Sequence, residues 1–548
     1  MITVAKYIAK FLISKDVKHI FGFQGSAMLK ILDEAASLGI NYIQNFNEQA
    51  SGFAADAYAR VNKKLGVAIA TSGPGAVNLI GGIANAYQDS IPVLFITGQD
   101  YLTSLKNDNG ARQNGFQDLD IVSAVKNLTK YAVLLDDPNN VKYELEKAYY
   151  LATNGRCGSV LIDVPIDVQF MEVDENNLKG FEIPKKEEFD YKINDVIKLL
   201  KNSKRPVILA GGGIQTSCAK EELKELNLKT KIPVVTTLMG GDCFEDKLGF
   251  SGLHGNSVSN LAILKADLIL ALGTRLSIKQ TGKIKENYTN ANIVHVDIDK
   301  TELKRTFLNE TLSIKGDVKE FLNKINKENF SINIENWLSL IEEWKNKFED
   351  TICDKNSKLD PVIFLREITK YIKDDTVITT DVGANQMWTN QALRLKNNQR
   401  LLNSGGFGAM GYSLPAAIGA SYVAPLCVSI TGDGGLQMNL QELNTLSLRR
   451  NNVKCFVFNN NNLALMRDCQ KRYYNSHFWG NNEKEFTCPD IKKLADTFNL
   501  KYEKIEDKDD FSKLKDIFSN NEPYLIDVIL DKDTKLLNRY DDKALKNE

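Results

Sequence analysis

At 548 residues the chain is too long for one hydrophobic core and implies about two to four domains. Its 43% hydrophobic and 25% charged content is that of a soluble globular protein. With 69 basic and 70 acidic side chains the net charge is −1, which removes any electrostatic case for nucleic acid or an anionic membrane.

The opening MITVAKYIAKFLISKDVKHIFGF reads as an amphipathic helix running into a strand. It lacks the basic n-region, continuous apolar stretch and cleavage site of a secretory signal. No apolar run reaches membrane-spanning length, so a cytoplasmic location is expected. The eight cysteines are scattered with no C-x-x-C pair, which argues against a disulfide frame or a zinc site.

Short Val- and Ile-rich runs then recur, each closed by Gly, Pro, Asp or Asn: 67–70, 93–97, 160–164, 207–210, 268–272, 294–298, 377–380, 428–430, 455–458 and 525–530. Segments of helical periodicity separate most of them. Buried strands alternating with helices predict an α/β fold of parallel sheets covered on both faces. Two charged stretches, 173–192 and 326–360, break the rhythm and read as linkers, the second enclosing a helical piece, NWLSLIEEWKNKFED. The expected domains are 1–172, 190–330 and 360–548.

Taken in chain order, Glu48 opens a helix of small residues and by itself would be a capping carboxylate. Thr71-Ser72-Gly73-Pro74-Gly75-Ala76-Val77-Asn78 and Ala86-Tyr87-Gln88-Asp89-Ser90-Ile91-Pro92 follow it. In the last block, Asp381-Val382-Gly383-Ala384-Asn385 follows a strand, and a glycine-rich loop, Gly405–Gly411, encloses Met410. The run Ile430-Thr431-Gly432-Asp433-Gly434-Gly435 ends a strand and leads into a helical pattern, where glycines let the backbone approach a phosphate. The next strand ends in Asn459-Asn460-Asn461-Asn462. Asp and Asn oxygens at adjacent strand ends are hard ligands suited to Mg²⁺ holding a diphosphate.

This strand–GDGG–helix–strand–NN arrangement resembles the motif of thiamine-diphosphate enzymes. The Asn47–Arg60 helix, the SGPG-x-x-N segment and the A-x-x-D-S-x-P segment are similar to the acetolactate synthase branch, with Asn47 where a His is usual. The resemblance spans nearly the whole chain and implies three α/β domains: a pyrimidine-binding, a central and a diphosphate-binding domain. It implies that Asp433 and Asn460 give side-chain ligands to Mg²⁺ and Asn462 its carbonyl. Cofactor contacts fall on Pro74, Gly75, Asn78, Gly383, Ala384, Asn385, Gly408, Met410, Gly432, Gly434, Gly435 and Leu463. Ala384-Asn385 stands where a Gln-His pair is usual, which leaves one diphosphate contact open but not the site. Met410 would wedge under the cofactor, and Glu48 would protonate its aminopyrimidine to set up removal of the C2 proton. A site built from two subunits, hence a homodimer or homotetramer, is also implied.

The resemblance further implies decarboxylation of a 2-oxo acid, pyruvate first, and ligation of the two-carbon unit to a carbonyl acceptor. The loop Gln113–Asp118 carries Phe116-Gln117 in place of the His pair of simple pyruvate decarboxylases, which favours a carboligase. The acceptor pocket falls on Lys279, Met466 and Cys469, with Lys279 and Cys469 standing at an Arg and a Trp of the family. A keto-sugar acceptor and a pyruvate oxidase or decarboxylase are the alternatives. The segments Pro206–Gly213, Gly252–Gly255 and Val296–Asp299 match parts of a flavin site, which leaves FAD open as a second cofactor.

Overall fold

The computed structural model describes residues 1–105, 110–282, 288–305, 308, 310–348, 352–396 and 398–537. Three parallel sheets organise it, each formed where apolar runs are buried on both faces. In the first, β2 (His19–Phe23), β3 (Asn41–Gln44), β4 (Gly66–Ala70), β5 (Val93–Gln99), β6 (Tyr131–Leu134) and β7 (Val160–Pro165) lie in the order β3-β2-β4-β5-β7-β6. A short antiparallel pair, β1 (Ile2–Thr3) with β8 (Glu172–Val173), ties the chain start to the end of this unit.

The second sheet holds β9 (Pro206–Ala210), β10 (Val234–Thr236), β11 (Leu268–Leu272), β12 (Asn292–Asp297) and β13 (Leu312–Lys315) in the order β10-β9-β11-β12-β13. The third holds β14 (Val377–Thr380), β15 (Arg400–Asn403), β16 (Cys427–Gly432), β17 (Val453–Asn459), β18 (Lys501–Ile505) and β19 (Tyr524–Ile529), ordered β15-β14-β16-β17-β19-β18. In the first and third sheets strand order reverses between β2 and β4 and between β14 and β16, and a second time at the β7-β6 and β19-β18 edges. Carboxyl ends beside such a reversal open a crevice, the place where open α/β sheets bind ligands.

One expectation is corrected. The stretch read as a second linker contains the helix Glu335–Phe348, which is core rather than connector. Trp337, Ile341 and Trp344 are buried in the central unit's hydrophobic cluster. The Trp337 indole donates to the Pro206 carbonyl at 3.1 Å, and its ring meets Trp344 edge to face at 5.5 Å. The period-3.6 apolar face found its partner in a sheet that begins at residue 206. The last two residues of NWLSLIEEWKNKFED lie outside the described residues.

Candidate active site

The third sheet assembles the first half of the site at the carboxyl ends of β14, β16 and β17. Asp433 follows β16 and is 2% exposed. Its Oδ1 accepts the Gly434 N–H at 2.8 Å, while Oδ2 is buried with no hydrogen-bond partner. Burial pushes its carboxyl up to about 7, against the pull of N–H groups from Gly434 and Asn460–Asn462. Asn462 donates to the Asn460 carbonyl at 3.0 Å and to the Lys532 carbonyl at 2.7 Å, leaving its own Oδ1 buried and unpartnered. Across the crevice, Asn385 Oδ1 and Gln386 Nε2 are unpartnered too. A buried polar atom without a partner is costly, and four of them around one strand-end crevice mark a place shaped for a polar ligand.

No group of three or more His, Cys, Asp or Glu able to hold a metal occurs among the described residues. The Asp433 set is of another kind: one carboxylate plus amide and carbonyl oxygens, a donor set that leaves positions of a hard cation to an anionic ligand. Gly434 explains why this turn is glycine. A Cβ there would lie 2.4 Å from Leu463 Cδ2 and 3.5 Å from Met410 Cε, so Gly434, Leu463 and Met410 meet at one point. Asn481 fixes Leu463 by pairing with both its N–H and its carbonyl.

The first sheet assembles the other half. Glu48 begins the helix Glu48–Asn62, capped by Asn47, whose side chain accepts the Gln49 N–H at 2.8 Å. Glu48 is 7% exposed and accepts from Asn78 Nδ2 at 3.1 Å. Gly75 crosses close by: a Cβ there would be 3.1 Å from Glu48 Oε1. Gly73, at φ +57°, lies against Gln117, whose backbone oxygen would be 2.8 Å from an added Cβ. Gln117 itself is left-handed at φ +62°. Asp118 accepts the N–H groups of Asn114 and Gly115 and so folds the loop that presents Gln117. Glu48, Gly75, Asn78 and Gln117 therefore converge, while the Phe116 side chain stands 82% exposed.

Among the described residues no hydrogen bond or ion pair joins this cluster to Asp433, Asn460 or Asn462 within the single chain. Lys279 and the helix carrying Met466 and Cys469 are also apart. Lys279 lines a cavity of about 770 Å³ between the domains, where burial lowers its pKa, whereas Met466 is 54% exposed and neither it nor Cys469 lines that cavity. Lys279 therefore does not share this cavity with Met466 and Cys469.

Two buried carboxylates escaped sequence reasoning. Asp381 accepts the N–H groups of Val382, Gly411 and Ser413 and the Thr431 hydroxyl, and burial raises it to about 6. The segment it opens was singled out in the sequence, but Asp381 itself was given no role there. Glu442 of the third domain accepts Asn45 Nδ2 and the Phe46 N–H, both at 2.8 Å, just ahead of Glu48. Nothing in the local sequence marks it.

The chain is built of thiamine pyrophosphate enzyme domains. The chain matches "Thiamine pyrophosphate enzyme, N-terminal TPP binding domain" over residues 2–124, the central domain over 193–325 and the C-terminal TPP binding domain over 381–528. It is 38% identical to the probable acetolactate synthase large subunit of Methanocaldococcus jannaschii, over 96% of this chain and 92% of that protein. To the acetolactate synthase large subunits of Cyanidium caldarium and Lactococcus lactis it is 36% and 34% identical, over 96% and 95% of its length. The chain belongs to the acetolactate synthase large-subunit family.

Proposed function

We propose that this enzyme decarboxylates pyruvate, or a close 2-oxo acid, and joins the two-carbon unit to a carbonyl acceptor, using thiamine diphosphate and Mg²⁺. The observation that carries the reading is the set of unpartnered buried atoms, Asp433 Oδ2, Asn462 Oδ1 and Asn385 Oδ1, at strand ends where a metal diphosphate fits. Asp433, Asn460 and Asn462 would hold the Mg²⁺. When bound, thiamine diphosphate supplies the nucleophilic carbon and the electron sink for decarboxylation.

The chain's own groups do the rest. Glu48, buried beside Asn78, holds and transfers the proton at the aminopyrimidine. Gln117 hydrogen-bonds a substrate or acceptor oxygen, and Met410 with Leu463 walls the cofactor. Pro74, Gly383, Ala384, Gly408, Gly432 and Gly435 allow close backbone approach.

Glu48 and Asp433 belong in this reading to opposite chains of a homodimer, or of a homotetramer built from two. Supporting this, Phe116, Val77, Phe407, Met438 and Met466 are 82%, 47%, 45%, 55% and 54% exposed on the single chain. We retain 1–172, 190–330 and 360–548 as working domains, the middle one extended through Phe348. We also place the enzyme in the cytoplasm; no helix among the described residues is long and apolar enough to cross a membrane.

FAD remains part of the proposal. Gly212, Gly213, Gly252, Leu253, His254 and Asp297 line the 770 Å³ cavity, a volume suited to a cofactor.

The functional test is incubation with pyruvate, thiamine diphosphate and Mg²⁺, with product identification in the presence and absence of added acceptors. Acetolactate from pyruvate alone supports the reading, and acetaldehyde or acetate as the sole product overturns it. A keto-sugar acceptor is the second reading, favoured by Cys469 and Lys279 at positions where the family carries Trp and Arg. Competition between pyruvate and 2-oxobutyrate probes the same feature. One methylene in a fitted pocket is worth roughly 1–3 kcal/mol, so without the Trp wall we expect a preference below ~10-fold.

A further inference from the structure

A third buried polar cluster lies away from Glu48 and Asp433. Arg60, near the end of the Glu48–Asn62 helix, pairs through Nε with Asp56 at 2.8 Å and through Nη2 with Asp89 at 2.9 Å. All three side chains are almost wholly buried, 6%, 0% and 1% exposed. Removing a guanidinium and two carboxylates from water is expensive, and such a cluster is not needed for stability alone, because well-packed apolar residues often serve as well. Its remaining hydrogen bonds therefore show what it is arranged to hold.

Apart from Asn85 Nδ2, which donates to Asp56 Oδ2 at 3.4 Å, they go to one segment of the third domain. Arg60 Nη1 donates to the Asn403 carbonyl at 3.0 Å. The Asp89 carboxylate accepts the N–H groups of Gly405 at 3.2 Å and Gly406 at 2.6 Å. At the far end, the Tyr412 hydroxyl donates to Asp56 Oδ1 at 2.8 Å. Between them the Ser404 hydroxyl donates to Asn85 Oδ1 at 2.6 Å and accepts the Ala409 N–H at 2.9 Å. Residues 403–406 and 412 are thus gripped from the first domain, and the piece between turns through left-handed Gly408 and Gly411, at φ +75° and +81°. That piece carries Met410.

We propose that Asp56, Arg60, Asp89 and Tyr412 form a positioning clamp that sets the shape of the 404–412 loop and so the placement of Met410 under the cofactor. The inference rests on the functional reading for the role of Met410. Fixing both ends of a short loop with two glycine turns leaves its middle little freedom, and side-chain placement within about 0.5 Å is what a reactive conformation requires. The clamp residues touch neither substrate nor cofactor. In the dimer of the functional reading, one rigid helix would present Glu48 to one site and the clamp to the loop of the other.

The test uses the full-length protein with Tyr412→Phe, which removes one hydroxyl. Three quantities are read: amide hydrogen exchange of 404–412 without cofactor, affinity for thiamine diphosphate with Mg²⁺, and the exchange rate of the C2 proton of bound thiamine diphosphate. We expect faster amide exchange confined to the loop and a near-normal cofactor affinity. C2 exchange should slow ~10-fold or more, the scale of loss for a misplaced group. Should Tyr412→Phe fail to fold, Ser404→Ala, which deletes the Asn85–Ser404–Ala409 link alone, carries the same expectation. Unchanged loop exchange, or a C2 rate that moves only in proportion to global stability, overturns the clamp and leaves interdomain adhesion. A wild-type protein that binds no thiamine diphosphate would refute the functional reading instead, while the loop exchange would still judge the clamp.

Discussion

Glu442 offers a sharp test of how the two halves of the fold are joined, because its replacement by Gln and by Ala should differ strongly. The carboxylate is fully buried and accepts from Asn45 Nδ2, the Phe46 N–H and the Thr445 hydroxyl, all at 2.8 Å. Burial raises its pKa. A glutamine keeps one oxygen for Phe46, and its amide can be met because Asn45 Oδ1 is buried without a partner and becomes the acceptor after a flip of the Asn45 amide. Glu442→Gln should then cost about 0–1.5 kcal/mol, the loss of charge assistance on one or two bonds. Glu442→Ala instead strands the Asn45 amide and the Phe46 N–H at roughly 1–3 kcal/mol each, so a loss of about 2–6 kcal/mol is expected. Denaturant unfolding of both variants gives the gap, and C2 proton exchange of bound cofactor reports whether Glu48, two residues beyond Phe46, has moved. Equal destabilisation by Gln and Ala, or an alanine variant within about 0.5 kcal/mol of wild type, would refute the accounting.

Three further outcomes follow, two from the site and one from the central domain. Glu48→Gln should keep the fold and cofactor affinity but lower turnover about 10²-fold or more, as for loss of a positioned proton-transfer group; steady-state rates within a few-fold of wild type would remove it from the mechanism. Asp433→Ala should abolish Mg²⁺-dependent retention of thiamine diphosphate in calorimetric titration, since one of few protein ligands is gone. His295 bonds the Glu310 carboxylate at 2.6 Å through Nδ1 and the Thr274 carbonyl at 2.8 Å through Nε2, so both nitrogens donate and the ring is cationic. Burial alone would lower its pKa, but Glu310 and Asp297 outweigh it and the net shift is upward. A raised folded pKa means the stabilisation is complete below about 6.5, the unfolded value, and is lost as pH rises through the folded value. Wild type should therefore lose stability across that window more steeply than His295→Gln, in unfolding midpoints taken from pH 6 to 9.

The strands visible in the sequence share one property. Runs such as Val67–Ala70, Leu268–Leu272 and Val428–Ile430 belong to strands flanked on both sides, where every residue faces a covering layer and composition alone reveals them. Those left unread in the three parallel sheets, β3, β6, β10, β13, β15 and β18, are the two outer strands of each. In β6 all four residues are half-buried, and β18 reads KYEKI with a single buried residue. An edge strand has one neighbour and a wet flank, so its sequence carries half the hydrophobic signal and takes up charge as protection against further pairing. The helix Glu335–Phe348 failed for the opposite reason: its tryptophans were legible, but its partner sheet begins far upstream.

The site divides along the same physical line. Asp433, Gly434 and Asn460 were readable because the proposed metal diphosphate would call for glycines and hard oxygens just past the ends of two neighbouring strands, a constraint written within a few residues of each. Asp381, Glu442 and the joint action of Asp56, Arg60 and Asp89 were not, since each acts on groups contributed by another segment: Glu442 on the Asn45 side-chain amide and the Phe46 N–H, and Asp89 on the N–H groups of Gly405 and Gly406. A carboxylate whose partners are main-chain N–H groups places almost no demand on the identity of the residues it holds, so no pattern of side chains can announce it. Lys279 shows the converse. Its sequence position assigned it to an acceptor pocket, but its place on the short helix Ile278–Thr281, which lines the interdomain cavity, makes its environment a property of three domains. Local chemistry is legible to the extent that the ligand, rather than the rest of the protein, supplies the constraint.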